Sequence, residues 1–171
     1  SVSIEVSAVR MRSMADRRCR RLVSRFLNCR TRHIWELELP SLRIATWNIN
    51  SVRLRIDLVR HFIESYRPDV LCLQETKCPD DRFPAKAFRE LGFDYQAVHG
   101  QKGYHGVATL SRIPFTEDSR RTFCGKSDAR HVAVSFEDDI VLHNFYVPAG
   151  GDVPDPKVND KFAHKLEFLD E

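Results

Sequence analysis

The sequence contains few cysteines, and their positions argue against the sites that cysteines usually build. An odd number is present and no two form a C-x-x-C pair: Cys19, Cys29, Cys72, Cys78 and Cys124. A disulfide framework or a structural zinc site is therefore not expected. Cys72 falls in an alternating strand pattern, and we interpret it as a small buried apolar residue. This favours a reducing compartment, with the cytoplasm as the default.

Long apolar runs and leader-like segments are also lacking. No apolar run approaches the roughly 18 residues that a membrane span requires, and no hydrophobic stretch precedes a small-residue cleavage site. The glycine-punctuated segment 100–106 has neither the P-loop spacing nor the G-x-G-x-x-G pattern of nucleotide-binding sites. These observations predict a chain with no membrane partner and no nucleotide-binding loop.

The positive charge is concentrated at one end of the chain. The net charge is +3, but residues 1–40 hold nine arginines against four acidic residues, so this segment is +5 and the remainder is −2. The total is therefore no evidence that the folded part binds nucleic acid. We predict that residues 1–41 form an Arg-rich extension outside the fold and that the domain begins at residue 42. A disordered basic arm that adds weak phosphate contacts is the alternative.

The pattern becomes regular from residue 42, and a hydrophobic content of 42% is enough for a core. An apolar strand over 42–49 precedes Ser51, a candidate N-cap, and a helix that ends before Pro68. The predicted apolar face of this helix comprises Leu54, Leu58, Val59, Phe62, Ile63 and Tyr66. A strand over 69–74 completes a β-α-β unit.

The remaining pattern predicts alternating short elements. A helix begins near Pro84 and ends at Gly92, and strands are predicted over 95–98, 107–111, 131–136 and 140–147. The last two strands are expected to form an antiparallel hairpin. Residues 157–169 predict an amphipathic helix, whose inward positions are Val158, Phe162, Leu166 and Leu169.

Polar side chains stand at the ends of three predicted apolar strands. Glu75 follows the strand over 69–74, Asn48 ends the first strand and Tyr146 lies near the end of the last. A carboxylate at a strand end suits Mg²⁺, which binds through one or two carboxylates together with phosphate oxygens and water. Taken singly, Glu75 also fits a surface carboxylate, Asn48 a turn residue and Tyr146 a core-edge tyrosine. Together, we expect the three strand ends to converge on one site.

Five ordered motifs resemble those of the exonuclease III family of abasic-site endonucleases, within the endonuclease/exonuclease/phosphatase superfamily. They are Thr46-Trp47-Asn48-Ile49-Asn50-Ser51, Pro68-Asp69-Val70, Leu73-Gln74-Glu75-Thr76-Lys77, the segment from His99 to Ala108, and Tyr146-Val147-Pro148-Ala149-Gly150. The resemblance covers residues 42–169. It implies a four-layer α/β sandwich, in which two mixed sheets face each other with helices outside.

The resemblance also implies roles for individual residues. Glu75 would be a carboxylate ligand of a catalytic Mg²⁺ or Mn²⁺, with Asn48 beside it in the metal and phosphate shell. Tyr146 matches the catalytic tyrosine that lies against the scissile phosphate. The positions expected to face DNA are Lys77, Gln101, Lys102, Tyr104 and Arg130. The implied activity is hydrolysis of duplex DNA at abasic sites and at 3′ ends by a monomeric enzyme.

The chain departs from the family pattern on its C-terminal side. A complete member continues for roughly another half-domain, with an Asp-x-Asn strand end and a late Asp-His pair that activate the attacking water and assist the leaving group. That half also supplies the second sheet. The resemblance thus identifies this chain as the N-terminal part of an incomplete fold. Two alternatives stay open: a catalytically inactive fragment or DNA-binding half, and a phosphatase of the same fold.

Overall fold

The computed structural model describes residues 4–10, 41–137 and 140–171. Within these ranges the chain forms eight strands and three α-helices: β1 (Ile4–Arg10), β2 (Ser41–Asn48), α1 (Ile56–Tyr66), β3 (Val70–Gln74), α2 (Ala85–Glu90), β4 (Tyr95–His99), β5 (Val107–Ser111), β6 (Thr116–Ser119), β7 (His131–Phe136), β8 (Ile140–Phe145) and α3 (Asp160–Asp170). None of these described helices is long and apolar enough to cross a membrane.

The strands form two sheets. The first sheet has the order β1-β2-β3-β5-β4, and the second has the order β6-β7-β8. β2 and β3 are parallel and are joined through α1, which confirms the predicted β-α-β unit. The other described pairs are antiparallel, including the predicted hairpin of β7 and β8.

Helix α1 covers one face of the first sheet through a narrower apolar stripe than the sequence predicts. Val59, Phe62 and Ile63 are buried at the expected spacings of three and four. The prediction was wrong for three flanking positions, which are exposed: Leu54, Leu58 and Tyr66. The helix begins only at Ile56, after a 3-10 turn over Arg53–Arg55, so Leu54 precedes it. Ser51 is therefore not its N-cap.

The core consists of two apolar clusters on opposite faces of the first sheet. One lies under the helices and contains Trp47, Phe62 and Phe88. The other joins the two sheets and contains Val70, Val107, Val132 and Val134. The order of layers is therefore helices, first sheet, second sheet, and this confirms the predicted α/β sandwich.

Helix α3 adds the fourth layer, on the outer face of the second sheet. Asn159 caps it by accepting hydrogen bonds from the N–H groups of Lys161 and Phe162. The buried residue of this helix is Phe168, whose ring centroid lies 4.6 Å from that of Phe123. The prediction was wrong for the exposed residues Val158, Leu166 and Leu169. Because the helix begins at Asp160, Val158 precedes it, and the face that meets the aromatic cluster runs through Phe168.

Two expectations from the sequence need correction: that the second sheet comes from a part of the family not covered by this chain, and that residues 1–41 lie outside the fold. Three strands of the second sheet come from this chain, and their inner face packs against the first sheet. In addition, β1 pairs antiparallel with β2, in a register that runs from Ile4↔Trp47 to Arg10↔Ser41. Residues 4–10 thus join the sheet, because the edge of β2 offers unpaired backbone groups to a second strand. Residues 11–40 lie outside the described residues, so for them the extension outside the fold stays a prediction.

Candidate active site

The site forms where β2, β3 and β8 end. Asn48 is the last residue of β2 and pairs in register with Gln74, the last residue of β3. Glu75 follows β3 directly, and Tyr146 follows β8 in the facing sheet. The parallel pairing of β2 and β3 brings their polar ends to the same edge, and the packing of the two sheets adds Tyr146 from the other side.

The carboxylate of Glu75 lies at the centre of these strand ends. Its Oε1 atom accepts hydrogen bonds from Asn48 Nδ2 at 2.8 Å and from Tyr146 Oη at 2.8 Å. Its Oε2 atom forms an ion pair with Lys77 Nζ at 2.9 Å. The structure therefore brings together four of the residues that the sequence singles out.

These contacts keep Glu75 ionised. Partial burial opposes the charge, but the hydrogen bonds from Asn48, Lys77 and Tyr146 outweigh it and lower the pKa of Glu75 to about 2. Burial and the bond to Glu75 raise the pKa of Tyr146 to about 12. At neutral pH the phenol therefore stays protonated and donates to a charged carboxylate.

The backbone around Glu75 adopts a conformation that non-glycine residues rarely take. The φ angles are +54° at Glu75 and +53° at Lys77. Hydrogen bonds on both sides hold this turn: Ser51 N–H donates to the Glu75 carbonyl at 2.7 Å, and Lys77 N–H donates to the His105 carbonyl at 3.0 Å. Such strain persists only where surrounding contacts over-determine the backbone, and it is concentrated at functional sites.

Gly106 allows the loop before β5 to approach this turn. Its φ is +88°, and a Cβ atom there would collide with Oγ1 of the buried Thr76. Its carbonyl accepts the N–H of Thr76 at 3.1 Å, and its own N–H donates to the Ala129 carbonyl at 2.9 Å. A residue without a side chain is thus needed where three segments meet beside Glu75.

Arg130 holds Tyr146 in place. Its guanidinium lies 4.7 Å from the centre of the Tyr146 ring, and its side chain donates to the Tyr146 carbonyl at 3.1 Å. Asp128 binds Arg130 at 3.2 Å and His105 at 3.5 Å. Burial, followed by the nearby Arg130 charge, lowers the pKa of His105. The sequence predicts a DNA-facing arginine at this position, and the structure adds a positioning contact that sequence reasoning missed.

The predicted DNA-facing residues of the loop over 100–106 differ in exposure: one is tied to the protein and two face solvent. Gln101 accepts the N–H of Ala129 at 3.2 Å, so its side-chain oxygen ties the loop to the segment before Arg130. Lys102 and Tyr104 are exposed. The Tyr104 ring lies 6.3 Å from that of His105, which in turn lies 5.9 Å from that of Tyr146. Their role in DNA binding stays a prediction.

A buried amide network beneath the site was missed by sequence reasoning. Asn144 Oδ1 accepts from Gln74 Nε2 at 2.8 Å, and Asn144 Nδ2 donates to the carbonyls of Leu73 and Ala108 at 3.3 and 3.0 Å. Gln74 also donates to Thr46 Oγ1 at 3.0 Å. The network links β2, β3, β5 and β8 directly below Glu75. Its only signal in the sequence is an asparagine at an inward position of β8, where an apolar residue is expected.

The donor set at Glu75 fits a hard divalent cation. Its ionised carboxylate has lone pairs beyond those that accept the three observed contacts, and Asn48 adds an amide group beside it. Mg²⁺ typically binds proteins through one or two carboxylates and takes its other ligands from water and phosphate. Among the described residues, Glu75 and Asn48 thus form a pair that could hold such an ion.

Comparison with known proteins places this arrangement in a family. The model of the Endonuclease/Exonuclease/phosphatase family matches residues 45–171. The chain belongs to this family. The match spans all the strand ends that build the site, and it confirms the resemblance that the five motifs indicate.

Individual members of the endonuclease/exonuclease/phosphatase family narrow the resemblance to DNA-acting nucleases. The chain is 41% identical over 71 residues to exodeoxyribonuclease III of Haemophilus influenzae, an alignment that covers 42% of this chain and 26% of that protein. An AP endonuclease from Archaeoglobus fulgidus has a similar structure, with a TM-score of 0.65 and 32% identity over 75% of this chain. A 3′ phosphatase from Neisseria, bound to a product DNA hairpin, gives a TM-score of 0.60 and 32% identity over 74% of this chain.

The chain spans about half the length of the solved structures that it matches. The aligned part covers 48% of the Archaeoglobus protein and 50% of the Neisseria protein. The part of this chain that matches the family, residues 45–171, contains the Glu75 site.

Proposed function

We propose that this chain provides the phosphate- and metal-binding part of a DNA repair nuclease that hydrolyses duplex DNA at abasic sites and at 3′ ends with Mg²⁺ or Mn²⁺. The observation that carries this proposal is the ionised Glu75 carboxylate, held between three strand ends by Asn48, Lys77 and Tyr146. The names of the relatives support the substrate class, since they include an exodeoxyribonuclease, an AP endonuclease and a DNA-bound 3′ phosphatase.

The residues of this chain bind and orient the scissile phosphate. A bound divalent cation supplies charge neutralisation at the phosphoryl oxygens and lowers the pKa of a water molecule. Asn48 carries two N–H donors on its amide, so one stays on Glu75 while the other meets a phosphate oxygen without adding negative charge. Tyr146 stays protonated at neutral pH and donates its one proton to Glu75, and Arg130 keeps its ring in place.

Around this centre, the predicted DNA contacts go to phosphates and position the duplex rather than read its bases. Lys77 adds positive charge beside the phosphate, and Lys102 and Tyr104 extend the contact along the exposed loop. Lysines that meet phosphates fix the register of a duplex without reading its bases, and they make the affinity fall with salt. We therefore expect binding that depends on DNA structure rather than on sequence.

The full reaction needs groups that this part of the family does not provide. A water oxygen attacks phosphorus, the bond from phosphorus to the leaving oxygen breaks, and that oxygen takes up a proton. By resemblance, the residues that activate the water and protonate the leaving oxygen belong to the half of the relatives that this chain does not cover. A cytoplasmic location and a monomeric enzyme remain predictions.

Incision of a duplex with one abasic site tests the proposal. The chain is assayed alone and together with the C-terminal half of a relative, in Mg²⁺ and in chelator. We expect Mg²⁺-dependent incision that Glu75→Gln abolishes, because this change removes the charged ligand. Glu64→Gln serves as the matched control, since Glu64 is an exposed glutamate on α1.

Each outcome of this assay supports a different hypothesis about the function of the chain. Incision only with the supplied half identifies the chain as one half of a repair nuclease. Incision by Glu75→Gln at saturating Mg²⁺ would contradict the site assignment. Salt-sensitive DNA binding with no incision in any mixture would favour a DNA-binding half, and phosphate release from inositol phosphates would favour the phosphatase alternative.

A further inference from the structure

Three side chains with metal-ligating atoms converge where the turn before β7 meets α3. Cys124 Sγ, a ring nitrogen of His164 and a carboxylate oxygen of Glu167 all lie within 4.8 Å of one another. Cys124 belongs to the turn, whereas His164 and Glu167 belong to the helix. This cluster lies on the outer side of the second sheet and shares no residue with the Glu75 site.

The helix and the turn hold the three groups together without an ion. His164 and Glu167 are three residues apart, so they share one face of α3. On the turn, Cys124 N–H donates to Glu171 Oε2 at 2.6 Å, and the neighbouring Phe123 packs against Phe168. The thiol, the imidazole and the carboxylate are therefore brought into position by contacts of other atoms.

One ring nitrogen of His164 has no hydrogen-bond partner. Within the described part of the chain, His164 Nδ1 is buried and unpaired. A buried polar atom without a partner costs free energy, and native proteins rarely leave one unless water, an ion or a function accounts for it. The unpaired nitrogen is a second observation that points to a ligand.

The ligand types select the ion. A thiolate, an imidazole and a carboxylate together suit Zn²⁺, whereas Mg²⁺ and Ca²⁺ prefer oxygen alone. In a tetrahedral zinc site, neighbouring ligand atoms are about 3.3–3.6 Å apart. The observed separations do not exceed 4.8 Å, so no pair of ligand atoms has to close by more than about 1.5 Å to reach that spacing.

We propose that Cys124, His164 and Glu167 bind a Zn²⁺ ion that fastens α3 to the turn before β7, with water at the fourth position. The cysteine spacing does not predict this site, because its other two ligands come from a helix about forty residues further on. Binding to the folded state alone would stabilise the packing of α3 on the second sheet. The inference does not depend on the nuclease proposal.

Cobalt substitution tests the proposal directly. The full chain carries Cys19→Ser and Cys29→Ser, which remove the two thiols outside the described residues. Titration with Co²⁺ is expected to produce one equivalent of tetrahedral absorption with a thiolate-to-cobalt charge-transfer band, and Zn²⁺ is expected to displace it. Cys124→Ser should abolish the band, and Glu167→Gln should weaken Co²⁺ binding by at least about tenfold, since it removes one of three ligands.

Controls separate this site from other metal binding. Asp170→Asn, on the same helix but outside the cluster, and Glu75→Gln, in the proposed nuclease site, should both retain the band. Zn²⁺ should also raise the melting temperature of the parent chain and leave that of Cys124→Ser unchanged. Absence of the charge-transfer band, or its persistence in Cys124→Ser, would overturn the proposal, whatever the nuclease assay shows.

Discussion

At the scale of single residues, the hydroxyl of Tyr146 is one of three donors that keep Glu75 charged. Tyr146→Phe removes this donor from Oε1, which favours the neutral acid. We expect the pKa of Glu75 to rise from about 2 by roughly one pH unit, since a hydrogen bond to a charged group contributes about 1.5–3 kcal/mol before solvent screening. An NMR titration of the side-chain carboxyl measures this change without relying on activity.

Tyr66→Phe is the control for this titration, because Tyr66 is exposed and its carbonyl accepts from Arg43 near the start of β2, at the opposite end of that strand from Asn48. It should leave the Glu75 titration unchanged. An unaltered Glu75 pKa in Tyr146→Phe would show that the phenol does not bind the carboxylate in solution.

Gly106 and Gly103 form a matched pair for a second test at this scale. Both have positive φ angles, but an added methyl group meets Thr76 at Gly106 and nothing within 4 Å at Gly103. Alanine at either position incurs the left-handed backbone cost of about 1–2 kcal/mol. We expect Gly106→Ala to lower the free energy of unfolding by about 2 kcal/mol more than Gly103→Ala, because the collision is with a buried side chain.

Urea denaturation of the two alanine variants measures the difference. Equal losses of stability at the two positions would mean that the approach of the loop to Thr76 is looser than the structure indicates.

At the scale of the elements, α3 is held to the second sheet mainly by one aromatic residue. Phe168→Ala removes a buried ring that packs on Phe123 and Phe145, and such truncations cost about 3–5 kcal/mol. Leu169→Ala, at the adjacent exposed position, should stay within about 0.5 kcal/mol. Chemical denaturation measures the two losses in free energy of unfolding. A larger loss for Leu169→Ala would show that Leu169 faces the second sheet, as the sequence predicts.

At the scale of the whole molecule, the free energy of unfolding should fall as the pH falls, because a buried histidine, His131, and the Glu75 carboxylate both resist protonation in the folded state. His131 is fully buried, and its Nδ1 accepts the N–H of Arg121 at 3.1 Å. Its Nε2 therefore carries the proton and donates to His143 at 3.0 Å. Burial first, and then the neighbouring His143, Arg121 and His99, lower the pKa of His131 from 6.5 to about 4.

The sign of the effect follows from proton binding. Between pH 6.5 and 4 the unfolded chain takes up a proton at His131 that the folded chain does not, so the free energy of unfolding falls as the pH falls. We expect a loss of about 1–3 kcal/mol across this window. Glu75 adds its own loss between 4.5 and about 2.

Urea denaturation at a series of pH values measures this profile. His131→Gln should flatten the slope between pH 6.5 and 4, whereas His61→Gln, on the exposed face of α1, should preserve it. An unchanged slope in His131→Gln would assign the acid sensitivity to other groups.

Local sequence patterns predict the strand ends and the central carboxylate. The alternation of apolar residues predicts β5 and β7 with the bounds observed, and a glutamate directly after an apolar strand predicts the position of Glu75 at the sheet edge. These features depend on residues that are neighbours along the chain, so the period of the side chains is sufficient.

The sequence by itself determined the order of the elements from β2 to α3 except for β6, which it missed along with β1, and it determined, through its motifs, the family. Only the tertiary structure decided which residues meet. Tyr146 and Glu75 are 71 residues apart in the sequence, and so are Asn144 and Leu73, yet each pair is joined by a hydrogen bond. It also decided that Phe168 rather than Leu169 faces the sheet, that Arg130 supports Tyr146, and that Cys124 lies beside His164. The physical reason is that periodicity specifies which face of an element is apolar, whereas the packing of sheets and helices specifies what that face contacts.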